Sequence, residues 1–399
     1  MKYIPRIYDA ILAEHLQQNR QMVFFSGPRQ VGKTTTARQV GSYYLDWDNR
    51  NHQLLVIAGP DAVAEHCQLE SASEKPVVII FDELHKFPRW KNFLKGFFDT
   101  YEDRCRIVVT GSARMDVYRR GGDSLMGRYF PYRLHPFTVA ELLNSKVRSD
   151  LISRPLPLDE DRWDALLRHG GFPEPYVKQG DRFLVRWRKM RNERLFKEDL
   201  KDLTRVQELS LLEILARMLA DRSGDQIVFA NLARDVQVAP NTVKAWVNTL
   251  VSTYYGFLVR PWFRNVTKAL RKEPKWYLRD WSGINDAGAR AETLVACHLL
   301  KAVEYWTDMG HGDFELRYIR DKQKREVDFL VLRDNQPWFL VEVKQGKTEL
   351  SSALKYFQQQ TGALHAFQVV MNLPYIDVDC FGYTRPVVVP SRTFLSQLI

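Results

Sequence analysis

The chain has 399 residues, room for two or three domains. Its 45% hydrophobic and 12% aromatic content exclude wholesale disorder, and a chain this long buries cores without disulfide or metal staples. Lys and Arg number 58 against 48 Asp and Glu, and the net charge of +10 favours an anionic partner: nucleic acid, nucleotide or acidic membrane surface.

In chain order, residues 1–20 read as an amphipathic helix with Ile7, Ala10, Ile11, Ala13 and Leu16 on its apolar face. Asp9 and Glu14 interrupt that face, so the stretch does not read as a signal peptide. Short apolar runs follow at Met22–Ser26, Tyr43–Leu45, Val77–Phe81, Ile107–Thr110 and Arg128–Leu134, separated by helical stretches. Strands alternating with helices predict a parallel sheet covered on both faces. Phe137 to about Arg205 is mostly helical in pattern, broken at 154–157 and 170–173. A compact helical unit spans 206–260, and a helix followed by strands fills 285–399. The four cysteines (Cys67, Cys105, Cys297, Cys380) lie far apart, which supports neither a disulfide framework nor a zinc ribbon and suits a cytoplasmic protein. No apolar run reaches membrane-spanning length, so membrane association is not expected.

The run Met22-Val-Phe-Phe-Ser26 leads into Gly27-Pro28-Arg29-Gln30-Val31-Gly32-Lys33-Thr34, followed by Thr35 and a helical stretch to Gly41. This is GxxxxGK[ST] between a strand and a helix. Its glycines permit torsions that turn successive N–H groups inward, and the helix N-terminus adds a positive dipole end. Lys33 is expected to reach the β and γ phosphates of ATP, and the Thr34 hydroxyl to hold Mg²⁺. Val77-Val-Ile-Ile-Phe-Asp82-Glu83 is the matching acidic strand. It sets Asp82 near the metal and Glu83 where it can polarise a water; the competing reading of Glu83 is a helix N-terminal acid. Thr110 or Ser112 can sense the γ-phosphate, or simply form a turn. Arg128, Arg114, Arg119 or Arg120 can serve as an arginine finger, in cis or from a neighbouring subunit, or form surface salt bridges.

The segments GPRQVGKTT, VVIIFDELHKFPRWKNFLK, VVTGSAR and GRYFPYRLHPFTVAEL, in that order, resemble an AAA-type ATPase of the archaeal and bacterial group, as does HGGFPEPY at 169–176. The resemblance implies Mg²⁺-dependent ATP binding, slow hydrolysis, and metal and catalytic-base roles for Asp82 and Glu83. Such proteins continue into a C-terminal domain of poorly assigned function.

Residues 231–250 read as helix, short turn, helix. Leu232, Ala233, Val236, Val243, Trp246, Val247 and Leu250 face inward, and Asn241 or Thr242 caps the second helix. With Thr253–Trp262 as a wing, this resembles a winged helix-turn-helix. In that reading Asn241, Thr242, Lys244 and Asn248 face a DNA groove; the bland reading is a protein-packing module. A more basic stretch carries Arg182, Arg186, Arg188, Lys189 and Arg191, continuing to Arg194, Lys197, Lys201 and Arg205, either a phosphate-binding face or a solvated one.

Further on, Glu326-Val-Asp328-Phe-Leu-Val-Leu-Arg, a turn at 334–337 and Trp338-Phe-Leu-Val-Glu342-Val-Lys344 read as a hairpin. Alternation points Glu342 and Lys344 the same way, and antiparallel pairing brings Asp328 beside Glu342. Two carboxylates make an oxygen-rich Mg²⁺ site, and the lysine can position or deprotonate a water. The order D-x13-E-V-K resembles the restriction-endonuclease-like superfamily. That resemblance implies that helix 287–303 is the first core helix, with Glu292 as the supporting acid, and that the helix 349–361 carries the weaker candidate Gln358. Val327, where that pattern has proline, is a departure.

The expected fold class is α/β: a P-loop NTPase parallel sheet (1–140), a helical lid (141–205), a winged-helix module (206–280) and a C-terminal restriction-endonuclease-like domain (281–399). The expected function is an ATP-binding and hydrolysing protein acting on nucleic acid, DNA in the first instance. Asp328, Glu342 and Lys344 would carry Mg²⁺-dependent phosphodiester cleavage. The alternative is an ATP-gated DNA- or protein-binding switch with an inactive nuclease-like domain; an RNA-directed enzyme is a third reading. A homo-oligomer is compatible with either.

Overall fold

A computed structural model of the chain describes residues 3–71, 76–111, 125–147, 149–200, 206–263 and 272–399. Ser112, Arg114, Arg119, Arg120, Lys201 and Arg205 lie outside the described residues. The chain divides into two compact units, one comprising 1–135 with 145–147 and the other 136–144 with 148–399.

The first unit opens with α1 (Ile7–Gln18), then β1 (Met22–Ser26), α2 (Lys33–Arg38), β2 (Tyr43–Asp46), α3 (Arg50–Ala58), α4 (Pro60–His66), β3 (Val77–Asp82), α5 (Trp90–Tyr101), β4 (Cys105–Gly111) and β5 (Tyr129–Arg133). The strands form one parallel sheet in the order β2-β3-β4-β1-β5. Side chains alternate across a strand. Met22, Phe24, Ile79, Phe81, Ile107 and Val109 therefore share one face and pack with Phe93, Leu94 and Phe97 of α5. On α1 the buried residues are Ile7, Tyr8, Ile11, Leu12 and His15: Ile7 and Ile11 of the expected stripe are among them, while Ala10, Ala13 and Leu16 are half-buried. His15 is buried because its ring reaches the Tyr132 hydroxyl (2.9 Å) and the Gln21 carbonyl (2.8 Å).

Parallel register puts the C-terminal ends of all five strands on one edge. Asp46 lies beside Asp82, Asp82 beside Thr110, and Ser26 beside both Gly111 and Arg133. Ligands of open α/β sheets bind outside that edge.

The second unit begins with helices: α6 (Val139–Leu143), α7 (Glu160–His169), α8 (Pro173–Lys178), α9 (Asp181–Arg194), α10 (Val206–Ala220), α11 (Phe229–Asp235) and α12 (Pro240–Ser252). Then come β6 (Gly256–Pro261), β7 (Lys275–Leu278), α13 (Ala287–Asp308), β8 (Phe314–Arg320), β9 (Glu326–Arg333), β10 (Gln336–Lys344), α14 (Ser352–Thr361), β11 (His365–Val370), β12 (Val387–Pro390) and α15 (Ser391–Ser396). One seven-stranded mixed sheet runs β12-β11-β10-β9-β8-β6-β7. The antiparallel β6–β7 pair thus lies in the same sheet as the later strands, joined by β6 running parallel to β8.

All seven inward-facing positions expected of α11 and α12 are buried, while Asn241, Lys244 and Asn248 are exposed. Neither Asn241 nor Thr242 caps α12. The helix starts one residue earlier at Pro240, whose fixed φ suits a first helical position, and Ala239 is the cap without a side-chain bond.

The β9–β10 turn consists of Asp334 (φ 50°) and Asn335 (φ 63°), two left-handed residues, as a tight hairpin turn requires. Val341 pairs with Phe329, so the next step of the ladder sets Glu342 against Asp328. Leu330, Leu332 and Leu340 of the sheet pack on Leu354 and Phe357 of α14. At the start of the unit, Glu141 of α6 and Lys301 of α13 form an ion pair in which neither side chain is exposed to solvent. His298 of α13 accepts the Val139 N–H at 3.1 Å.

Candidate functional site

The loop after β1 is a cradle. Gly27 (φ 156°), Gln30 (φ 61°) and Gly32 (φ 105°) carry positive φ, and Gly32 caps α2. A Cβ on Gly27 would stand 2.3 Å from the Leu134 carbonyl oxygen, so only glycine lets the loop lie against the end of β5. Pro28 and Val31 are buried, Arg29 and Gln30 half-buried and Thr35 exposed. The buried Lys33 ammonium donates to the carbonyls of Gly27 and Pro28, at 2.9 Å each. Those neutral acceptors are what phosphate oxygens would replace.

Asp82 is the hub of the edge. Its carboxylate accepts from Thr34 Oγ1 at 2.9 Å, from Tyr44 at 2.6 Å and from Thr110 Oγ1. The donor set of hydroxyl and carboxylate suits a Mg²⁺ ion accompanying a nucleotide, and the cradle suits its phosphates. Glu83 is held at φ 53°, immediately past β3. Burial pushes its carboxyl upward, against the pull of Lys33 and Lys86. Lys86 stands 3.7 Å from it.

Arg128 is not brought to this edge. It precedes β5, whose first residue pairs with Met22, so it sits at the opposite end of a strand about 16 Å long. There it forms an ion pair with Asp99 at 2.6 Å.

Two residues at the site carried no sequence signal. Tyr44 of β2 donates to Asp82, and the Arg38 guanidinium lies 3.8 Å over its ring. Burial first and Asp82 second raise its phenol above the ordinary range. The buried Arg6 donates to the carbonyls of Val31 (2.9 Å) and His135 (2.5 Å), bracing the cradle from a segment ahead of α1. A lone arginine before a helix carries no motif.

In the second unit the hairpin gathers carboxylates at the ends of β9 and β10. Asp328 accepts the Val343 N–H at 2.9 Å, and Glu342 takes the Lys344 ammonium at 2.6 Å. Glu292 on α13 joins them, as the sequence pattern implied. The difference lies at the centre. Lys275, the first residue of β7, places its ammonium 2.7 Å from Glu326, 3.0 Å from Glu292 and 3.5 Å from Asp328.

The metal role expected for Asp328, Glu342 and Glu292 meets a competitor here: the chain's own Lys275 ammonium stands among the oxygens of Glu292 and Asp328, while Glu342 faces Lys344. Among the described residues no group of three or more His, Cys, Asp or Glu side chains is arranged to hold a metal ion. Tyr277, two residues along β7 from Lys275, donates to Glu292 at 2.6 Å. Burial first, and Asp328 second, raise the carboxyls of both Glu292 and Glu342. Burial would lower the Lys275 ammonium, but Glu292, Asp328 and Glu326 together raise it. Lys275 and Tyr277 carried no sequence signal, since only the pairing of β6 with β7 and β8, and of β8 with β9, brings them to Asp328; Glu326, also missed, stands two residues from Asp328 on the same face of β9. Gln358 lies apart, donating to the Thr384 carbonyl at 2.9 Å beyond the end of α14.

On α9, Arg182, Arg186 and Lys189 are exposed at helical spacing. Arg188 instead donates to the Ser282 carbonyl (3.1 Å), and Arg191 lies 4.0 Å over Phe172 and 3.7 Å from Asp280.

Comparison with known families agrees with the first cradle. Residues 19–143 match the family model described as AAA domain. That match supports a P-loop, AAA-type ATPase domain over this stretch, with the nucleotide binding the domain implies. Residues 160–292 match a domain of unknown function (DUF8612), and 287–378 another (DUF4143). Two uncharacterized proteins, one of Mycobacterium bovis and one of Mycobacterium tuberculosis, are each 26% identical over 344 residues, covering 82% of this chain and 71% of theirs. Among solved structures, C. elegans PCH-2 is 18% identical with a TM-score of 0.23, covering 34% of this chain and 42% of that one. Drosophila ORC bound to AT-rich DNA and Cdc6 is 9% identical with a TM-score of 0.24, covering 68% and 86%. At these scores neither likeness bears on function. Among the described residues no helix is long and apolar enough to cross a membrane.

Proposed function

We propose that the chain is an ATP-hydrolysing switch whose second unit engages DNA without metal-assisted cleavage. The observation that carries the first half is the placement, at the C-terminal edge of the parallel sheet, of Lys33 on the carbonyls of the cradle and of Thr34 and Thr110 on Asp82. In this reading the amides of 27–34 and the Lys33 ammonium receive the phosphates, the lysine exchanging two carbonyls for phosphate oxygens. Thr34 and Asp82 would hold Mg²⁺, whose charge would offset that of the phosphates. Glu83 accepts a proton from the attacking water; its raised carboxyl, close to Lys33 and Lys86, suits a base that is buried but balanced. Thr110 reports on the state of Asp82 through their shared hydrogen bond. A second copy of the chain, or the segment 112–124, supplies any arginine finger, since Arg128 is engaged by Asp99. Phosphate release from MgATP tests this: wild type turns over, and Lys33→Ala does not. Unchanged release in Lys33→Ala removes the reading.

For the second half, the exposed stripe Arg182, Arg186 and Lys189, with Asn241, Lys244 and Asn248 on α12, supplies phosphate and groove contacts. The gathering of Asp328, Glu342 and Lys344 favours a cleavage reading, and Lys275 in their midst argues against it. Anisotropy with labelled duplex, with and without ATP, tests DNA engagement. The reading expects weakened binding and a shallower salt slope in Arg182→Ala/Arg186→Ala/Lys189→Ala. Preferential retention of RNA, or no retention of either nucleic acid, would overturn it.

A further inference from the structure

Four carboxylates converge in the second unit: Glu292 from α13, Glu326 and Asp328 from β9, and Glu342 from β10. An acidic group of this kind, partly shielded from water, is unstable without a cation, because mutual repulsion adds to the cost of desolvation. Arg320 and Lys344 each pair with one of them, Glu326 and Glu342, but the cation that several of them share is Lys275. The Lys275 side chain is 5% exposed, and its ammonium lies within 3.5 Å of three of the four carboxylates. The fourth, Glu342, is 7% exposed; one of its oxygens takes Lys344, and the other, Oε2, is buried with no hydrogen-bond partner. Both Asp328 and Lys275 act electrostatically on Glu342, so its unpartnered oxygen belongs to the same cluster.

We propose that this cluster is a cation site whose resident occupant is the Lys275 ammonium, so that the native chain takes up no divalent metal there. A lysine can stand in for an oxygen-liganded ion because an ammonium carries three donors directed at three acceptors. It supplies one positive charge instead of two and offers no open coordination position to a water or a phosphate oxygen. The cluster therefore lacks the element that activates water in metal-assisted hydrolysis. The same contacts latch β7 to α13 and β9, with Tyr277 on Glu292 as a second fastening. The lysine also explains the orphan oxygen of Glu342: Lys275 is spent on the other three carboxylates. Vacating the position leaves the three carboxylates of Glu292, Glu326 and Asp328 around one space, oxygen donors of the kind a hard divalent ion takes. This inference concerns the cluster alone and stands whether or not the unit engages DNA.

The test is Mn²⁺ uptake by the full chain without nucleotide, read by the EPR signal of free Mn²⁺. Any contribution of the cluster is defined as what Asp328→Asn removes. Wild type and Asp328→Asn are expected to titrate alike. Lys275→Met is expected to take up one additional Mn²⁺ per chain, at least tenfold tighter than any wild-type uptake, and Lys275→Met/Asp328→Asn to lose it. A Lys275→Met chain that folds only with Mn²⁺ present gives the same answer. Should it not fold at all, Lys275→Met/Glu326→Gln, with one carboxylate fewer, must show the gain. The proposal is overturned by wild-type Mn²⁺ uptake that Asp328→Asn abolishes, or by folded lysine-free variants that gain none.

Discussion

Both units centre a polar edge on a buried lysine, but the two lysines rest on different partners. Lys33 donates to two main-chain carbonyls, neutral groups that a triphosphate outcompetes with full charges, and also acts on the Glu83 carboxyl. Lys275 sits among three carboxylates, and any ligand that displaces it must bring an equal or greater positive charge. The first arrangement is an open cradle, held in shape by Gly27, Arg6 and the strand edge. The second is a closed ion cluster. The contrast shows that a set of catalytic-looking residues is read correctly only with the cation that accompanies it.

The largest effect that sharpens the contrast is on turnover. Glu83→Gln is expected to lower phosphate release about 10²–10⁴-fold while leaving MgATP affinity nearly intact. Equal losses of binding and turnover would make Glu83 a structural acid.

Stability should separate the two lysines next. Lys275→Met leaves partly buried carboxylates without their cation, a change that costs about 3–5 kcal/mol. Lys33→Met removes two hydrogen bonds to carbonyls and the attraction to Glu83, and is expected to cost less, about 2 kcal/mol. Hydrogen exchange of β9–β10 and of β1, in the absence of metal and nucleotide, reads each unit separately. Equal losses would break the distinction.

Tyr44→Phe removes one of three donors to Asp82 and should change MgATP affinity by about 1 kcal/mol, visible in calorimetry. No change would mean Tyr44 leaves Asp82 when nucleotide binds.

The last effect concerns pH. Burial, with Lys301 adding to it, pushes His298 down to about 3. Its Nδ1 faces the Leu294 carbonyl and its Nε2 takes the Val139 N–H, the arrangement of a neutral ring. Below about pH 6.5 the unfolded chain binds a proton that the folded chain refuses, so stability drops as pH falls from there towards 3. His298→Gln should lose less stability than wild type between pH 7 and pH 4; an identical loss would show that His298 takes no part.

How much of this was legible follows from sequence distance. β1 through β5 coincide with the apolar runs to within two residues, because a strand buried on both faces announces itself locally. The cradle is eight consecutive residues, and Asp82-Glu83 ends a single strand. The hairpin of β9 and β10 was readable too, since a two-residue turn fixes the register that sets Asp328 against Glu342. Lys275 was not. It begins a four-residue strand more than fifty positions ahead of Asp328, and only the pairing of β6 with both β7 and β8 carries it into the cluster. Arg6 and Tyr44 were missed for the same reason: each is an isolated residue whose partner is set by sheet order. The pairing of Arg128 with Asp99 likewise depends on which end of β5 it occupies.

The most direct test of the account is titration calorimetry of MgATP into the intact chain, wild type against Lys33→Ala. The account predicts one site per chain in wild type and at least a tenfold loss of affinity in the variant. Absence of binding in wild type, or equal affinity in both, would contradict it.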